Sequence, residues 1–110
     1  MFGKRGEVGG LGWFQQGDVI IKPVKAVPTD AQPLGTRVLR EGEATGHAHV
    51  ATGEGVQLFI RGEALYMRVP AGTEVVHEEH ATITVPPGVY EISAVREYDH
   101  FAEEARPVLD

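Results

Sequence analysis

The chain has 110 residues, a formal charge of −6 and no cysteine. A chain of that length fits one domain and buries roughly two-thirds of its unfolded surface, enough for a core without covalent staples. The composition excludes disulfides, thiolate nucleophiles and Cys-type zinc sites. The acidic balance also argues against wide, non-specific nucleic-acid binding, leaving room only for a local patch around Lys22, Lys25, Arg37 and Arg40.

Residues 1–12 carry five glycines, Gly3, Gly6, Gly9, Gly10 and Gly12, and read as a flexible arm before a single β domain over residues 13–110. Fixing such an arm costs about 1–2 kcal/mol of backbone entropy per residue. Docking of Phe2, Val8 and Leu11 onto another subunit is the expected compensation, so a homo-oligomer or larger assembly is expected. Lys4 and Arg5 have no apolar run behind them long enough for a signal peptide. Val19-Ile20-Ile21 is strand-sized, far short of the ~20 residues of a membrane span. The cytoplasm is the expected compartment, with no membrane partner.

Trp13-Phe14 form a bulky anchor, and residues 18–24 read as the first strand. Residues 25–35 hold Pro28, Asp30, Pro33 and Gly35, which predicts a loop. Further β-prone runs follow at 36–40, 44–51, 56–61, 64–69, 74–77, 82–85 and 89–98, broken by Gly or Pro. Val56 to Ile60 and Ala64 to Val69, joined through Arg61-Gly62-Glu63, predict one hairpin. Thr82 to Val85 and Val89 to Ile92, joined through Pro86-Pro87-Gly88, predict a second. Phe101 to Ala105 allow one helical turn before Pro107. The expected class is all-β, a small β-barrel or sandwich of about seven or eight short strands.

Four of the five histidines fall in two tight pairs, Gly46-His47-Ala48-His49 and His77-Glu78-Glu79-His80. Side chains alternate along a strand, so His47 and His49 share a face with Thr45, and residues two apart lie about 6–7 Å from each other. Two imidazoles at that spacing suit one metal ion. If the strand ends near Glu79, a turn brings His80 round to join His77. Without cysteine, a transition-metal site needs histidines and carboxylates, and Glu54, Glu78, Glu79 and Glu91 are candidates.

The expected ligands are therefore His47, His49, His77 and His80, and the expected cofactor is divalent zinc, nickel or manganese. Two other readings stay open. The histidines can be partly exposed strand residues bonded to carbonyls and carboxylates. They can also act as metal-free acids and bases, with Lys22, Arg96 or Tyr98 stabilising charge. Catalysis, as hydrolysis of a small or phosphodiester substrate, is expected to fall to His77, His80 and Glu79. The rival class is a non-enzymatic structural or adaptor module.

Two resemblances follow from these residues. Glu43 to His49, His77-Glu78-Glu79-His80, Pro86 to Glu91 and Arg96-Glu97-Tyr98-Asp99 together resemble a small uncharacterised bacterial protein family, over most of residues 15–110; this implies no activity. Gly42, His47, His49, Glu54 and Gly62 resemble the cupin first motif, with the first and last gaps off by one. The cupin second motif wants a histidine three residues after Pro86-Pro87-Gly88, where this chain has Glu91. The resemblance therefore implies a β-barrel carrying a two-His, carboxylate-rich site.

Overall fold

The structure, a computed structural model, describes residues 7–8, 12–42 and 46–94. Eleven strands fill it: β1 (Glu7–Val8), β2 (Trp13–Gln16), β3 (Val19–Pro23), β4 (Gln32–Leu34), β5 (Val38–Glu41), β6 (Ala48–Ala51), β7 (Gln57–Arg61), β8 (Ala64–Val69), β9 (Thr73–His77), β10 (His80–Val85) and β11 (Gly88–Ala94). They form a seven-stranded sheet in the order β1-β2-β3-β11-β8-β7-β4 and a four-stranded sheet in the order β10-β9-β6-β5. Every pairing is antiparallel. The fold is a sandwich, not a closed barrel. Among the described residues no helix is long and apolar enough to cross a membrane.

Period-two alternation supplies the core. Phe14, Val19, Ile21, Leu58, Met67, Tyr90 and Ile92 from the larger sheet meet Leu39, Ala51, Val75, Ile83 and Val85 from the smaller in one cluster. Their neighbours along each strand face outward. Lys22 there lies 5.3 Å from the centre of the Trp13 ring and 3.8 Å from a Glu91 oxygen.

Three expectations change. Among the described residues the strand count rises from seven or eight to eleven, because β1, β2 and β4 lie where an arm, an anchor and a loop are expected. β4 tolerates Pro33 because it is the edge strand, where a missing N–H breaks no central ladder. Within the arm, Glu7–Val8 pair with Phe14 and Trp13 of the same chain, while the rest of residues 1–11, Phe2 and Leu11 included, lie outside the described residues. The first hairpin forms as expected around Gly62, which has φ +61°.

The second hairpin does not form. β10 ends on β9, with Val85 opposite Thr73, whereas β11 starts on β8, with Gly88 opposite Val69. Pro86 and Pro87 offer no N–H to a ladder, and the chain changes sheets there instead of turning back. Thr45, the segment 95–98 with Arg96 and Tyr98, and the helical turn at Phe101 to Ala105 lie outside the described residues.

Candidate metal centre

The site grows from one corner of the smaller sheet. In β6, His49 is in phase with buried Ala51, so it points inward between the sheets and is only 4% exposed. His47 lies two residues earlier, just before the strand, in the same phase. β6 pairs with β9 through Val50↔Val76 and Ala51↔Val75, which sets His77 beside His49. β9 stops at His77, Glu78-Glu79 make a two-residue turn, and β10 opens with His80 directly opposite His77. Directly opposed residues share a face.

All four expected histidines therefore converge. Ring centres are 4.2 Å apart for His49 and His77, 4.6 Å for His77 and His80, 5.7 Å for His47 and His77, and 5.8 Å for His49 and His80. Together with Asp18, Arg40 and Glu79 they line a cleft of about 370 Å³.

Gln16 fixes the most buried ring. Its amide nitrogen donates to the carbonyls of Val75 at 2.8 Å and Ala81 at 2.9 Å, which leaves its oxygen 2.8 Å from His49 Nδ1. Two carbonyl partners set the amide's orientation, so Nδ1 of His49 carries the proton and donates. Nε2 then holds the free lone pair, the state a metal ligand needs. Burial, then the His77 charge, drive the His49 pKa down to about 4; Asp18 opposes this, while His80 and Arg40 add to it. The ring is neutral at neutral pH.

The turn between the paired histidines supplies carboxylates. Glu78 accepts a hydrogen bond from the Ala48 N–H at 3.0 Å, and backbone hydrogen bonds hold its pKa below the usual carboxylate range. Glu79 Oε2 lies 3.4 Å from His47 Nδ1. The Glu79 N–H donates to His77 Nδ1 at 3.0 Å, so the neutral His77 ring carries its proton on Nε2. Metal binding at His77 must therefore displace that N–H or relocate that proton. One ligand atom from each of His47, His77 and Glu78 lies within 4.8 Å of the other two.

Two expected carboxylates lie away from this point. Glu54 sits in the turn between β6 and β7, and Glu91 lies on β11 beside Lys22; neither lines the cleft. Three contributors escaped the sequence reading: Gln16, Asp18 and Arg40. The signal for Gln16 is its phase with Phe14, which places an amide on the core face. Asp18 and Arg40, 22 residues apart and joined at 2.9 Å, carry no local signal. A larger hollow of about 710 Å³ opens beside Leu39, Leu65 and Ile92 but gathers no comparable set of donor atoms.

The model of a family described as a domain of unknown function (DUF8820) matches residues 15–94, which include every residue of the cleft named above. No curated protein and no solved structure matches the chain.

Proposed function

The chain belongs to DUF8820, a domain family of unknown function, and we propose that this member binds a divalent transition-metal ion in its histidine cleft. One observation carries the reading: donor atoms of His47, His77 and Glu78 come within 4.8 Å of one another in the corner where all four rings meet. Ligand atoms around one zinc ion stand about 3.4 Å apart at tetrahedral angles, so small side-chain rotations close the set. Imidazole with carboxylate suits zinc or nickel well and manganese less well. The acidic neighbours Asp18 and Glu79 favour a cation over an anion in the same space. Hydrolysis of a small or phosphodiester substrate is the chemistry we assign to such an ion, with Glu79 and His80 at its exposed side.

The test is elemental analysis of the purified full-length protein together with titration of zinc into chelator-treated protein. Uptake of zinc in whole equivalents, with one equivalent lost in the double variant His47→Ala, Glu78→Gln, supports the reading. A protein that takes up no zinc, and whose melting temperature zinc leaves unchanged, overturns it. Turnover of bis(p-nitrophenyl) phosphate by the loaded protein tests the hydrolytic part separately.

A further inference from the structure

Asp18 divides its carboxylate between two neighbours. Oδ2 accepts from Arg40 Nε at 2.9 Å, and Oδ1 faces His49 Nε2 at 3.5 Å. Gln16 already takes the Nδ1 proton of His49, so in the neutral ring Nε2 is an acceptor. Two acceptors therefore point at each other, and one belongs to a histidine that is 4% exposed. Facing lone pairs repel unless something positive lies between them.

Their spacing suits an ion. Two ligand atoms about 2.1 Å from one zinc stand about 3.4 Å apart at the tetrahedral angle. A third imidazole is adjacent: the His80 ring lies nearly parallel to that of His49, with centres 5.8 Å apart and 14° between planes. It packs on Gly17, where an added Cβ would come within 2.5 Å of His80 Nε2. The glycine immediately before Asp18 thus makes room for this ring.

We infer that His49 Nε2 and Asp18 Oδ1, with His80 beside them, form a second divalent-cation position next to the His47, His77 and Glu78 set, making the cleft a two-ion centre. This rests on the metal-binding reading above and extends it, since neighbouring ions can clamp one oxyanion from two sides. Gln16 is the positioning residue, because it dictates which nitrogen of His49 faces Asp18.

The experiment is zinc titration of chelator-treated full-length protein by calorimetry, with bound metal counted after desalting. Wild type is expected to take two equivalents. Asp18→Asn, at an exposed position, should take one, or bind the second at least tenfold more weakly. Arg40→Gln removes the competing cation and should keep two. The double variant His47→Ala, Glu78→Gln should keep one. One equivalent in wild type, unchanged by Asp18→Asn, overturns the second position and leaves the first standing. Two equivalents in Asp18→Asn overturn the role of Asp18. No binding by wild type overturns the underlying metal reading itself.

Discussion

Gln16 Oε1 lies 2.8 Å from His49 Nδ1 and joins the two sheets at the edge of the histidine cleft. The residues are 33 positions apart in sequence, and Gln16 is 3% exposed. Three hydrogen bonds meet in this amide, all reaching the smaller sheet. It therefore acts on stability and on the chemistry of His49 together.

Replacing Gln16 by methionine keeps the shape and removes all three bonds. The carbonyls of Val75 and Ala81 and the Nδ1–H of His49 would then be left without these partners. Unsatisfied buried groups cost about 1–3 kcal/mol each, and partial hydration relieves some of that. A loss of about 3 kcal/mol in urea unfolding is expected. A change below 0.5 kcal/mol would mean that water replaces the amide with no penalty.

The metal-free protein should lose stability as the solution is acidified. Unfolded, His49 takes its proton near 6.5; folded, near 4. Between these values the unfolded chain binds the extra proton, so falling pH favours unfolding. This contribution is complete above pH 6.5 and disappears as pH falls toward 4, amounting to about 3 kcal/mol across the window. Urea midpoints at pH 7.5, 5.5 and 4.5 in the presence of chelator measure it. His49→Gln should flatten the slope between pH 6.5 and 4.5; an unchanged slope assigns the effect to other groups.

The parts of the fold and site that could be read from sequence were local. Alternation placed His47 and His49 on one face, and the spacing of His77 and His80 allowed the two-residue turn that sets them opposite each other. The Gly62 hairpin was legible for the same reason. Gln16 and Asp18 were not, because their roles depend on how β2 stacks over the other sheet, which no neighbouring residue encodes. Pro86-Pro87-Gly88 read as a hairpin turn, but the chain bends there and crosses to the other sheet, a choice decided by which edges are available. The strand at Gln32 to Leu34 was hidden by Pro33, which only an edge position accommodates.

Gly53 offers a test of the packing that supports the site from the far end of β6. Its N–H donates to Thr73 Oγ1 at 2.7 Å, and its carbonyl accepts from Arg37 Nη1. An added Cβ would collide with the Gly72 carbonyl oxygen and come within 2.7 Å of Thr73 Cβ and 2.8 Å of Thr73 Cα. These are mostly backbone atoms, which cannot swing aside as a side chain can. Gly53→Ala should cost about 3 kcal/mol, at the upper end for overpacking. Gly35→Ala, with nothing within 4 Å of its added methyl, should stay within about 0.5 kcal/mol. Equal stabilities for the two variants would show that the turns on either side of Gly53 and Gly72 do not pack as described.

Gly17→Ala separates the contribution of His80 from that of the other rings. Gly17 has φ +58°, a left-handed conformation that costs alanine about 1–2 kcal/mol. Its new methyl would also come within 2.5 Å of His80 Nε2. His80 is exposed and can rotate away, so the fold should survive while this imidazole leaves the cleft. His47, His77 and Glu78 remain in place, and the tighter zinc equivalent should change less than threefold. The weaker equivalent should lose about tenfold in affinity, measured by calorimetry alongside a urea curve that checks folding. If both equivalents are unchanged in a folded variant, His80 is not a ligand and the second position rests on His49 and Asp18 alone. If the tighter equivalent is lost instead, His80 belongs to the first ion, and the division of the four histidines between two positions is wrong.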